Sequence, residues 1–219
     1  MNPAPRNPAA TVLVAGAGTD LDLALLRQLV AEGWRAILID RDAGRLERAA
    51  ALVGPSLATR QVDAEDEDAV RALFAWIAAD CPRLDLVVWT QGAAPGTDSL
   101  ETAGDIFERA WRAGCLGAFQ VGREAVRGML PHGQGAIVFV GEASTEEAGI
   151  AASSARSALR ALAQSMAREL WPQGLHVAHV TVDGGAEAGS AAETILAIPR
   201  QARNAWTFAL DIHAGASAG

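Results

Sequence analysis

The chain has 219 residues, half of them hydrophobic and a fifth charged, with a formal net charge of −8 at pH 7. That balance is too apolar for a disordered chain, and no apolar run reaches the ~20 residues that a membrane span needs. The acidic excess, with no Lys/Arg block to offset it locally, excludes nucleic acid as an expected partner. Two distant cysteines, Cys81 and Cys115, and a start without a cleavable signal pattern point to a reducing, cytoplasmic compartment. The four histidines, His132, His176, His179 and His213, stand at no metal-ligand spacing with Cys, Asp or Glu, so no metal site is expected.

Residues 1–10 are Pro-rich and are expected to be disordered or extended, ahead of a single domain over 11–219. "TVLVAG" is a buried-strand run, followed by a helix over about 21–32 and the strand "RAILID", which together form a βαβ unit. The alternation then repeats. A helix over 45–52, the strand "TRQVD", a helix over 66–79 and the strand "LDLVVWT" lead to a long helix over about 103–130. The strand "GAIVFVG", a helix over 152–171 and the strand "LHVAHVTVD" follow. After Asp183 the chain turns rich in Gly and Ala, read as a loop with a small helix over about 186–203, before a last strand-like run, "AWTFALDIHA". Short apolar strands alternating with helices predict an α/β fold: a Rossmann-like, doubly wound parallel sheet in three α/β/α layers.

A strand, a glycine turn and a helix form the dinucleotide-binding arrangement, in which glycines admit the pyrophosphate and the helix N-terminus offers its N–H groups. Here the turn is "AGAGTDLD". Together with "VDAED", "LDLVVWTQGA" and the helix "SSARSALRALAQSMAREL" followed by "WPQGLHVAHVTVDGG", it resembles the short-chain dehydrogenase/reductase family over residues 10–185. "AWTFALDIH" also resembles the closing strand of one bacterial branch of that family. The resemblance implies an NAD(P) site at the turn and a catalytic set of Asn, Ser, Tyr and Lys.

On that alignment the glycine motif falls on residues 15–22, where Gly16 matches and Asp20 and Asp22 replace the other two glycines. Two readings stand. A carboxylate at position 20 or 22 fills the anion site and abolishes dinucleotide binding, or it is an ordinary helix cap beside a site that still works through Gly16 and Gly18. Asp40 lies where NAD-preferring relatives hold the adenine ribose, while the next residue, Arg41, suits a 2′-phosphate. Asp63 matches the adenine contact, or belongs to an acidic helix start in "DAEDED". The family's N-N-A-G stretch falls on Trp89, Thr90, Gln91 and Gly92, keeping only Gly92, and the bulky Trp89 is expected to take space needed by a nicotinamide riboside. Gly16, Gly18, Asp40, Asp63 and Gly92 are thus a vestigial cofactor set, and the expectation is no NAD(P) binding or weak binding.

The catalytic positions diverge further. The Asn, Ser, Tyr and Lys sites are occupied by Gly114, Glu142, Ala152 and Arg156, and the chain contains no tyrosine. Alanine carries no proton, and arginine, with a pKa above about 12, does not relay one near neutrality. Candidates for other chemistry in the cleft are Glu142, Ser144 and Arg156. Arg156 also reads as part of a solvated stripe with Arg160, Gln164 and Arg168, which recur every four residues.

The apolar residues Leu159, Leu162, Ala163, Met166 and Leu170 are expected on the sheet side of their helix. The small residues Ala151, Ala155, Ala158, Ala161 and Ser165 leave other surface flat. The resemblance implies that this helix and the one over 103–130 pair with the same helices of a neighbour. The expected function is therefore a catalytically inactive family member serving as a structural or regulatory subunit, in a homo-oligomer or with an active relative. The alternatives are an atypical NAD(P)-dependent or non-redox enzyme using Glu142, Ser144 or Arg156, and a small-molecule sensor using the same cleft.

Overall fold

The structure is a computed structural model that describes residues 10–81, 83–92, 100–143 and 149–215. Seven parallel strands form one sheet in the order β3-β2-β1-β4-β5-β6-β7. They are β1 (Thr11–Ala15), β2 (Arg35–Asp40), β3 (Leu57–Gln61), β4 (Leu86–Trp89), β5 (Gly135–Glu142), β6 (Leu175–Val182) and β7 (Ala209–Ile212). The helices are α1 (Asp20–Ala31), α2 (Ala43–Val53), α3 (Glu67–Asp80), α4 (Gly104–Trp111), α5 (Gly117–Met129), α6 (Gly149–Leu170) and α7 (Ala188–Ala197).

Strand side chains alternate between faces, so the inner strands feed two cores. Leu13, Ile37, Trp89, Ile137 and Phe139 meet the apolar sides of α3, α5 and α6. Val12, Val14, Leu38, Val88 and Val138 meet those of α1, α2 and α7. Because both faces are covered, β1 and β4 are buried at every residue, whereas β7, at an edge, alternates exposed and half-buried. The three-layer arrangement predicted from the alternation is the one observed. Leu159, Ala163 and Leu170 of α6 lie in the first core, with Leu162 and Met166 packed against it. Among the described residues, no helix is long and apolar enough to cross a membrane.

Local chemistry sets the helix starts. Asp42 caps α2 by accepting from Arg45 N, and Asp66 caps α3 by accepting from Asp68 N and Ala69 N. In the stretch 186–203, Glu187 accepts from Gly189 N at 2.8 Å and Ser190 N at 2.7 Å, starting α7. The helix expected over 103–130 is two helices, α4 and α5, joined by a π-helical turn at Arg112–Leu116. The helical path continues through that turn, and Gly114 within it borders the cleft.

Candidate active site

The strand order reverses between β1 and β4, which opens a crevice at the carboxyl ends of the strands. Two adjoining cavities of about 370 and 350 Å3 occupy it and share Thr19, Thr90, Gln91, Gly92 and Glu142 in their walls.

The glycine turn forms one wall. Gly16 has φ +134°, and a Cβ there would collide with the Thr90 hydroxyl, so the close approach of β1 to β4 requires glycine. Four successive amides of the turn, from Gly16 to Thr19, are engaged within the chain. Gly16 N donates to Ile39 O at 3.0 Å, and Ala17 N donates to Asp40 Oδ2 at 3.1 Å. Gly18 N and Thr19 N both donate to Asp22 Oδ2, at 2.9 and 2.8 Å. Asp22 N donates back to Thr19 Oγ1 at 3.2 Å, closing a reciprocal cap on α1. Asp22 is 1% exposed, and burial raises its carboxyl above the usual carboxylate range against the opposing pull of its hydrogen bonds.

Of the two carboxylates in the motif, Asp22 takes the turn's amides; Asp20 is exposed and lines the larger cavity. Asp40 is buried, and its second oxygen accepts from Asp42 N at 2.8 Å. Gly16, Gly18, Asp40, Asp63 and Gly92 all line the smaller cavity, with Arg41 and Arg45 beside them. Asp63 also accepts from Glu65 N at 2.9 Å.

Gly114, Glu142 and Arg156 meet in the larger cavity. Arg156 Nη2 lies 3.6 Å from Glu142 Oε2, and the Arg156 side chain is only 17% exposed. Arg160, Gln164 and Arg168 are exposed, so Arg156 leaves the polar stripe and turns inward. Ala152 is fully buried and is not among the residues lining either cavity. Ser144 lies outside the described residues.

Trp89 does not take cofactor space. Its side chain is fully buried in the core, and a Cβ on Gly117 would come within 2.8 Å of the indole. A missing side chain at Gly117 therefore makes room for the ring beneath the sheet surface. Gln91 falls on the alanine position of the N-N-A-G stretch, to which the resemblance gives no role; its Nε2 is buried without a hydrogen-bond partner, and the residue lines both cavities.

This turn, crevice and strand order define a dinucleotide-type α/β fold, and comparison with known proteins places it further. The short chain dehydrogenase family model matches residues 10–211. The chain belongs to the short-chain dehydrogenase/reductase family. It is 37% identical over 136 residues to galactitol 2-dehydrogenase (L-tagatose-forming) of Cereibacter sphaeroides, covering 62% of this chain and 53% of that protein. It is 27% identical over 165 residues to the 3-oxoacyl-[acyl-carrier-protein] reductase MabA of Mycobacterium tuberculosis, covering 73% of this chain and 63% of that one. The matched part is thus less than two thirds of either relative. Among solved structures, a short-chain dehydrogenase from Rhodopseudomonas palustris aligns with TM-score 0.84 and 34% identity, over 93% of this chain and 98% of its own.

Proposed function

We propose that this member of the family has left nicotinamide chemistry and serves as a structural or regulatory subunit, with copies of itself or with an active relative. The observation that carries the reading is the occupation of the turn. Three successive amides, of Ala17, Gly18 and Thr19, donate to the chain's own Asp40 and Asp22 carboxylates. A pyrophosphate at this turn meets acids where it requires donors, so the dinucleotide does not fit. The sequence agrees, since by the family resemblance Ala152 stands at the tyrosine position and no tyrosine exists in the chain. The relatives are named as dehydrogenases and reductases; their redox activities do not extend to this chain on this reading.

The assembly half rests on surface. Phe107, Trp111 and Phe119 of α4 and α5 are 39–40% exposed, large apolar side chains along the segment by which the family resemblance implies pairing. Calorimetric titration of the full chain with NADH and NADPH tests the cofactor half. Binding no tighter than about 1 mM is expected, and micromolar affinity for either would overturn the reading.

The second reading, a non-redox site, is favoured by one observation: Arg156 is turned into the larger cavity toward Glu142. Substrate turnover that disappears in Glu142→Gln or Arg156→Gln variants would promote it above the first.

A further inference from the structure

A third cavity, of about 280 Å3, lies at the opposite, amino ends of the strands, with Asp85, Gly135, Gly174 and His176 at or just before the starts of β4, β5 and β6 in its wall. It shares no lining residue with the crevice and has the opposite charge balance. In the larger crevice cavity the carboxylates of Asp20, Glu142 and Asp183 face the one guanidinium of Arg156. Here Arg83 and Arg203 stand against Asp85 alone. Asp85 is already engaged, since Oδ1 pairs with Arg83 and Oδ2 accepts from Thr11 N at 2.9 Å. Arg203 therefore keeps an unneutralised charge. It is exposed, and its Nη2 donates only to carbonyls, Trp171 O at 3.4 Å and Pro172 O at 3.0 Å. Its Nη1 has no hydrogen-bond partner among the described residues and lies 3.5 Å from where a Cβ would stand on Gly174, in the cavity wall. An open guanidinium nitrogen with a full charge suits a carboxylate.

The rest of the wall decides what that carboxylate is attached to. The half-buried Trp206 indole lies beside the charge, its ring centroid 5.9 Å from Arg203 Cζ. The indole is fixed on its other sides. It stacks on His176 with centroids 4.7 Å apart and planes at 4°, meets Trp171 edge-on at 6.3 Å, and donates from Nε1 to Gln201 O at 3.2 Å. Ring and guanidinium are thus set as a pair before a ligand arrives, which lowers the ordering cost of binding. Trp34 and Pro199 add further apolar wall. Indoles favour a second planar ring, by edge or by offset face, and a volume just under the ~300 Å3 of typical ligand pockets limits that ring to a small one. We propose that this cavity binds a small aromatic carboxylate, its carboxylate on Arg203 and its ring among Trp34, Pro199 and Trp206. The site stands apart from the crevice and does not depend on whether a dinucleotide enters there.

The test is calorimetry on the full chain with benzoate and indole-3-carboxylate, beside acetate, indole and benzylamine as probes without the ring, without the charge and with the charge reversed. One of the two aromatic acids should bind at least about tenfold tighter than each of the three controls. Arg203→Gln should weaken that binding by about tenfold or more, and Arg203→Lys, which keeps the charge without the fork, should restore part of it. Trp206→Leu should weaken the aromatic acid and leave acetate unchanged. Glu142→Gln, at the other end of the sheet, should leave the aromatic acid's affinity as it is in wild type. Absence of binding by both acids up to about 10 mM overturns the proposal, as does binding of indole or acetate that equals theirs. Binding that responds to Glu142→Gln and ignores Arg203→Gln would put the ligand in the crevice and overturns it as well.

Discussion

Asp22 combines two roles that usually fall to different groups: it caps α1 and it takes the amides of Gly18 and Thr19 that would face an anion. Since burial raises its pKa, the folded state holds this proton more tightly than the unfolded one, and the ionised form lowers stability at neutral pH. That loss is recovered as pH falls through the raised pKa. Asp22→Asn keeps an acceptor for the amides without the charge, so it should be more stable than wild type at pH 7, with the gap narrowing in acid, as urea midpoints will report. Asp22→Gly instead frees both amides and should raise NADH or NADPH affinity by about tenfold or more in calorimetric titration, at a cost of about 1 kcal/mol for the lost cap. His179 acts with the opposite sign. Burial, with a smaller push from Arg160 opposed by Asp211, lowers its pKa from the usual 6.5 to about 4. The folded state therefore excludes a proton that the unfolded chain accepts, and stability that is complete above pH 6.5 is lost as pH falls toward 4. The loss amounts to about 3 kcal/mol across that window. His179→Gln should flatten the stability profile between those pH values, and a profile unchanged from wild type would sink the assignment.

Helix α6 divides its small residues between two tasks. Ala151 and Ala155 are buried within the chain, while Ala161 and Ser165 remain exposed and Ala158 is half-buried. If this helix pairs with a neighbouring subunit, Ala161 is the position to test. Ala161→Arg places a long charged side chain in a close helix contact without disturbing the subunit's own core. Sedimentation should show the dissociation constant of the assembly raised by about tenfold or more, with the unfolding midpoint of the separated subunit unchanged. A wild-type chain that sediments as a monomer at micromolar concentration, alone and with a co-encoded relative, would remove the subunit reading.

Across the molecule, the crevice depends on parts that do not revert independently. Restoring the family's tyrosine and lysine through Ala152→Tyr with Arg156→Lys should give no ketone reduction with NADH or NADPH, followed by nicotinamide absorbance. The turn amides would still be tied to Asp22 and Asp40, and Gly114 and Glu142 would still stand at the other two positions. Ala152 is also fully buried, so a tyrosine there must displace packed neighbours, at a cost of about 1–3 kcal/mol. Measurable turnover by this double variant would show that the turn still admits a dinucleotide.

Pattern by itself determined the order of strands and helices along the chain, because strands covered on both faces, such as β1 and β4, are short continuous apolar runs, while α6 carries a helical spacing. The caps at Asp42 and Asp66 are local as well, since an acid reaches amides two or three residues ahead wherever the chain runs, but they move the helix starts expected at 45 and 66 to Ala43 and Glu67. Three features needed the tertiary structure. Asp20 and Asp22 differ by two residues in one motif, and only the path of the turn decides that Asp22 folds back under Gly18 while Asp20 faces solvent. Trp89 read as an obstruction in the cleft, yet its side of β4 is the core side, opposite a glycine 28 residues later that is adjacent only in space. Arg156 matched a four-residue stripe with Arg160, Gln164 and Arg168, but a helix does not present one stripe to one environment along its length. Its first turns border the crevice and its later ones border water, so the same spacing carries a buried guanidinium at one end and solvated ones at the other.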